Sequence, residues 1–314
     1  MMARPTVADL RDWLHEPLTR ILDQRVQPID IMPLAPTIEV ADSTIKLLVR
    51  GASGQPCAFV LCASPAAPDM VQRGADRARR AKAALGPDLG DRILDTLAEG
   101  RVQGLSYAIF PYCNSLGNFK PYWMLQRALL RPMIFEWLWQ VNRQTLRGIG
   151  PEVITGTFTA PLQMVSALQA APARLRDAAA RAATRLESGA WKPKHVLMHG
   201  DLWKSNLLIR PAHPADRRQR WQDRVVVIDW PGSEVEGYAL YDLVRLAQSM
   251  RTGRRFLRTE LERHCRVLQC EPADAQSYLI TALGHIAMHL EYLPMERYLR
   301  LAKSCFTTLD EALT

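Results

Sequence analysis

Several features are scarce or missing in this chain. No uninterrupted apolar run approaches the roughly 18 residues that a membrane-spanning helix needs, although 48% of the residues are hydrophobic. The opening MMARPTVADLRDWLHEP carries charges where a secretory leader would be apolar, which argues against export. Only six cysteines occur (Cys57, Cys62, Cys113, Cys265, Cys270 and Cys305), with no CxxC pair, so packed, reduced thiols in a cytoplasmic protein are expected. Low-complexity tracts and internal repeats are absent. So is a G-x-S-x-G nucleophile motif. The excess of positive charge is moderate at +8. It favours acidic partners such as nucleotides, phosphosugars or an anionic membrane surface without choosing among them.

What is present has a clear order. With 314 residues the chain can form one large domain or two modest ones. Leu10, Trp13, Leu14 and Leu18 predict a helix within residues 1–30. Three β-like runs follow: IDIMPLA, STIKLLV (43–49) and CAFVLCA (57–63), with a hairpin signal at Gly51, Gly54 and Pro56. Residues 71–85 read as a helix, and DRILDTLA (91–98) and LSYAIFPY (105–112) as strands around the turn EGRVQG. From Pro121 onward the pattern is helical, over 123–144, 162–188, 239–250, 255–269 and 275–309. This division predicts an α+β chain of two lobes, a sheet-rich one over 1–113 and a helical one over 114–314, hinged near Cys113–Gly117.

One stretch breaks the pattern of plain elements. HVLMHGDLWKSNLLIR (195–210) crowds His199, Asp201, Lys204 and Asn206 between two apolar runs. PAHPADRRQRWQD then reads as an exposed loop before a second run, RVVVIDW (224–230). Pairing of the two runs as a hairpin sets Asn206 opposite Asp229, with Cβ atoms roughly 5 Å apart. The loop 200–205 then turns Asp201 toward the same end. Two carboxylates and an amide oxygen suit Mg²⁺, which takes few protein ligands and completes its shell with water and phosphate.

Asp-x4-Asn, followed by an apolar strand pair ending in Ile-Asp, follows the logic of a protein-kinase active site. The wording HGDLWKSNLL, VVVIDW and YALYDLVRL resembles the aminoglycoside phosphotransferase and choline-kinase-like family of small-molecule kinases, most strongly over 195–245. HGD in place of HRD points to that branch. The resemblance implies a bilobal protein-kinase-like fold with a small antiparallel-sheet lobe and a larger, mostly helical one. It also implies transfer of the γ-phosphoryl group of ATP or GTP to a hydroxyl of a small molecule, with Mg²⁺. By motif position, Asp201 is the catalytic base or hydroxyl-positioning residue, and Asn206 and Asp229 are the metal ligands. His199 supports the loop by hydrogen bonding, and Asp242 anchors it through its backbone.

The sequence departs from the family where the nucleotide phosphates are gripped. The strand that carries the family's lysine reads Phe59-Val60-Leu61-Cys62, and LAPTIEVADSTIKL contains no glycine to cradle phosphate. Asp76 is the acid nearest to a lysine partner in the following helix, among Arg73, Arg77, Arg79 and Arg80. Either Lys46 on the neighbouring strand reaches the phosphates, as in one unusual group of protein kinases, or an arginine of 73–80 does, or nucleotide binding is lost. Lys204 is the other lysine assigned to the nucleotide. The alternative function is a catalytically silent kinase-like binding module; the joint presence of Asp201, Asn206 and Asp229 favours activity.

Other features weigh less. His285 and His289 lie one helical turn apart but lack a third metal ligand or an intervening Glu. RTGRRFLRTELERHCR (251–266) is basic with only Phe256 nearby, so no nucleic-acid partner is expected. The aromatic segment 119–140 reads as core of the helical lobe, as an apolar wall for a substrate, or as a peripheral membrane contact. Glu234 and Glu236 could face a cationic acceptor, but the basic later helices favour a sugar, glycan or other hydroxylated metabolite.

Overall fold

The computed structural model describes residues 5–22, 31–33, 44–51, 53–117, 119–212, 220–290 and 293–314. Helix α1 (Val7–Leu22) starts at a reciprocal cap. The Thr6 N–H and hydroxyl donate to Asp9 Oδ2 at 2.8 and 2.7 Å, and the Asp9 N–H donates to Thr6 Oγ1 at 3.2 Å. Leu10, Leu14 and Leu18, spaced by four, form one fully buried stripe.

That stripe covers one face of an antiparallel sheet of β1 (Ile31–Pro33), β2 (Ile45–Arg50), β3 (Pro56–Cys62), β4 (Ala98–Val102) and β5 (Leu105–Pro111). The strand order is β1-β2-β3-β5-β4. Side chains alternate across a strand, so Leu47, Val49, Ala58, Val60, Cys62 and Ile109 meet the helix. On the other face Leu61 and Phe110 pack with Val71 of helix α2 (Met70–Gly90). Phe59 and Phe110 stack there at 4.8 Å between ring centres.

The chain continues through β6 (Asn114–Ser115), α3 (Lys120–Thr145), α4 (Pro151–Ile154), α5 (Ala160–Ala167), α6 (Ala173–Glu187) and β7 (His195–Met198). Then follow β8 (Leu207–Ile209), β9 (Val225–Val227), β10 (Glu234–Tyr238), α7 (Tyr241–Ser249), α8 (Arg254–Leu268), α9 (Pro272–Met288) and α10 (Met295–Leu313). β6, β8 and β9 form a small sheet of their own, and β7 pairs with β10.

Contacts divide the described chain into two compact units, neither continuous in sequence. One draws on 1–80, 91–116 and 207–231, the other on 81–90, 117–206 and 232–314. The first holds the five-stranded sheet and the β8–β9 hairpin. The second holds β7, β10 and the helices from α3 onward.

Three expectations need correction. DRILDTLA is not a strand: Ile93 and Leu94 are consecutive and both buried, and only Ile93 bridges to Val227. β4 instead uses Ala98–Val102, so four of the six residues of the expected turn are strand. The helices over 162–188 and 275–309 are each two, because Pro172 and Pro294 stand immediately before α6 and α10, where a proline ring is tolerated and a helix interior is not. The segment 34–43 and residues 213–219 of the expected loop lie outside the described residues.

Replacing Leu14 by Ala removes the centre of the α1 stripe and is expected to destabilise the chain by about 2–5 kcal/mol. Chemical denaturation followed by circular dichroism measures it; a loss within error would mean that α1 contributes little to this core.

Candidate active site

The site grows out of β7, whose four residues are all buried. It pairs with β10 in the register Val196↔Gly237 and His195↔Tyr238. A Cβ on Gly237 would sit 2.4 Å from that of Met198, so only glycine lets the two strands approach. The chain leaves β7 at buried His199 and turns at Gly200, where φ is +85° and a Cβ would fall 2.4 Å from the Gly232 carbonyl oxygen. Glycine is required there on both counts.

Asp242, in the first turn of α7, holds this turn in place. It is buried, and its carboxylate accepts the N–H groups of His199 at 2.6 Å and Gly200 at 3.1 Å, and that of Leu202. The His199 ring then accepts the Asp201 N–H on Nδ1 at 3.2 Å. Asn206 closes the loop, its side-chain NH₂ donating to the Asp201 carbonyl at 2.8 Å and to Oδ2 at 3.3 Å. Asp201 is left with its side chain 48% exposed, on a loop held by these hydrogen bonds.

Sequence reasoning missed Arg245. Its guanidinium, 18% exposed, donates to Asp201 Oδ1 at 3.1 Å and lies 5.7 Å from the Trp203 ring centre. The signal was its spacing: it follows Asp242 by three residues on one helix, which sets both on the same face. Lys204 donates its N–H to Ser249 and lays its ammonium 5.0 Å over the Trp123 ring. In α3 the segment 119–140 divides in two. Leu130, Ile134, Phe135, Trp137 and Leu138 are core, whereas Phe119, Tyr122, Met124, Leu125 and Leu129 are exposed.

In the other unit, the β8–β9 ladder pairs Leu207 with Val227, Leu208 with Val226 and Ile209 with Val225. That register is one residue away from an Asn206–Asp229 pairing. Asp229 itself leaves the strand with φ 71°, in the left-handed region. Pro231 follows, seated against Gly74 of α2 with its carbonyl accepting from Arg77 at 2.7 Å. Asp76 and Glu99 both pair with Arg79.

Cys62 points into the core beneath α1, fully buried, and burial pushes its thiol up to about 11. The side chain on the α2 face is Leu61. Lys46 is its cross-strand partner and is exposed, so it lies on that same face. His285 Nδ1 bonds to the Tyr238 hydroxyl at 3.2 Å, and His289 Nδ1 donates to the His285 carbonyl at 2.9 Å. Among the described residues no group of three or more His, Cys, Asp or Glu could hold a metal.

Burial lifts the Asp242 carboxyl to about 6, against the N–H bonds that lower it. From its ordinary value of 3.8 the rise sets about 3 kcal/mol against the ionised form. The folded chain therefore keeps a proton between about pH 4 and 6 that the unfolded chain releases. Stability from this group falls as pH rises through that window and is level above it. Asp242→Asn is expected to flatten that slope, read from urea midpoints at pH 5 and 7. Asp242→Ala strands the loop N–H groups and is expected to cost about 2–4 kcal/mol at pH 7; a neutral Ala variant would remove Asp242 as the anchor.

No family model matches the sequence, and no curated protein is significantly similar to it. Solved structures are similar in fold. A thermostable mutant of the aminoglycoside phosphotransferase APH(4)-Ia superposes with a TM-score of 0.53 at 13% identity, over 94% of this chain and 98% of that one. A choline/ethanolamine kinase family protein from Mesorhizobium loti gives 0.51 at 14%, over 96% and 94%. The choline kinase LicA from Streptococcus pneumoniae gives 0.52 at 13%, over 95% and 99%. At such identities the likeness is one of fold, and it covers nearly the whole length of each partner. The chain has an α+β protein-kinase-like fold, in the form taken by aminoglycoside phosphotransferases and choline kinases.

Proposed function

We propose that this protein is a phosphotransferase that moves the γ-phosphoryl group of ATP or GTP to a hydroxyl of a small molecule, with Mg²⁺. The observation that carries this reading is the loop around Asp201: Asp242, His199 and Asn206 fix its backbone and leave one carboxylate half exposed. A hydroxyl bonded to Asp201 Oδ2 would be aimed along one direction and could pass its proton there. Arg245 pairs with Oδ1, and a carboxylate is only a weak base. A weak base suffices in a loose phosphoryl-transfer transition state, where positioning and charge neutralisation matter more than proton removal.

Asn206 and Asp229 are the oxygen donors we assign to Mg²⁺. The fit rests on Asn206: with its NH₂ bonded to Asp201, its carbonyl oxygen is the atom turned elsewhere, and oxygen is what this ion prefers. When bound, Mg²⁺ supplies neutralisation of phosphate charge. For the phosphate grip we favour Lys46, set on the α2 face beside Leu61; Lys204, on the same loop as Asp201, is the second candidate. Acceptors would meet Trp203 and the cations Lys204 and Arg245, which suits a neutral or anionic sugar-type metabolite better than a polycation. The silent binding module keeps one observation in its favour: neither Cys62, where the lysine is expected, nor its neighbour Leu61 supplies a cation.

Asp201→Asn is expected to reduce Mg²⁺-dependent nucleotide turnover at least about 100-fold with an unchanged melting curve; full turnover by a folded variant would sink the assignment. Lys46→Met is expected to abolish the thermal stabilisation that millimolar ATP with Mg²⁺ gives the parent. If neither ATP nor GTP shifts the parent's melting curve, the silent module replaces the enzyme.

A further inference from the structure

The C-terminus of α8 brings together two cysteines that play no part in the site above. Gln269 takes the left-handed conformation, φ 54° and ψ 47°. The Cys270 N–H bonds back to the Cys265 carbonyl at 3.1 Å, and the Gln269 N–H to that of Arg266 at 3.3 Å. These are the two hydrogen bonds of a Schellman cap, a turn that sets the side chain two places past the helix end against the one in its last turn. In most proteins that contact is between apolar side chains. Here both residues are cysteine, and the Cys265 thiol also reaches the Glu271 carbonyl at 4.0 Å.

Both residues line one open cavity of about 650 Å³, shared with Lys192, Arg266, Glu262 and Asp274. Cys265 is buried and Cys270 half-buried. The hydrogen bond from Cys270 holds the Cys265 thiol below its ordinary value and raises that of Cys270, so Cys265 ionises first. By contrast, burial lifts the thiols of Cys62, Cys113 and Cys305 to about 11. Free, mostly packed thiols are what the structure holds; these two stand together at a cap built by the backbone, beside open space.

We propose that Cys265 and Cys270 form a reversible dithiol site, closed to a disulfide by peroxide-class oxidants and reopened by thiol reductants. The Cys265 thiolate attacks one peroxide oxygen; the O–O bond breaks and the leaving hydroxide takes a proton to become water, leaving a sulfenic acid. The Cys270 sulfur then attacks that sulfur, the S–O bond breaks, and hydroxide leaves with the Cys270 proton as a second water. Two thiols lose two electrons in all, and one peroxide is reduced to two waters.

The test uses the full chain and hydrogen peroxide, and does not depend on the phosphotransferase reading. After mild oxidation the intact mass is expected to fall by about 2 Da, with four of the six cysteines still alkylated under denaturing conditions. Arg266 lies between the two cysteines, so trypsin separates them unless a disulfide joins the peptides. A linked pair that dithiothreitol releases is the expected product. Cys265→Ser and Cys270→Ser should each abolish it while melting as the parent does. Six alkylated cysteines after peroxide, sulfinic acid on either residue without a bridge, or a bridge to another cysteine would overturn the proposal.

Discussion

One buried carboxylate organises the loop around Asp201. Asp242 collects the N–H groups of His199, Gly200 and Leu202 from a turn that no regular ladder satisfies. Backbone donors in such a turn must find partners when water is excluded. Burial opposes the charge of Asp242, yet the three N–H bonds it accepts pull the other way, and the balance leaves it ionised at neutral pH. The geometry of everything nearby follows from that anchor. Gly200 must be glycine because the anchored turn runs against the Gly232 carbonyl, and Arg245 reaches Asp201 because it rides the helix that Asp242 begins.

The five-stranded sheet shows how strand alternation settles a chemical question. By letters alone, Phe59-Val60-Leu61-Cys62 does not say which of its side chains faces α1 and which faces α2. The α1 stripe of Leu10, Leu14 and Leu18 requires an apolar face, and Ala58, Val60 and Cys62 supply it. Leu61 then has to face α2, beside Lys46. A change of one residue along a strand is a change of face, which puts Cys62 beneath α1 and Leu61 beside Lys46.

Much of the fold was legible because its elements are strongly patterned. The α1 stripe, the β2–β3 hairpin at Gly51 to Pro56 and the apolar runs flanking HGDLWKSN each carry a period or a turn signal that survives packing. What stayed hidden had no local signal. Ile93 and Leu94 read as strand because they are apolar, whereas both are buried from an irregular segment. The Arg245–Asp201 pair joins residues 44 apart in sequence, and spacing on α7 could suggest only that Arg245 shares a face with Asp242.

By itself the sequence determined the loop chemistry: which acids, amide and glycine stand in the HGD-x4-N stretch, and that an acid follows on the next helix. These depend on residue identity and short spacings, which the chain carries locally. Only the tertiary structure decided that Asp201 is paired with a guanidinium, that the β8–β9 register runs Leu207 to Val227, and that Lys46 shares a face with Leu61. It also decided that two of six scattered cysteines meet across a helix cap. Each of those depends on where a face turns or a helix ends, and long-range packing sets both.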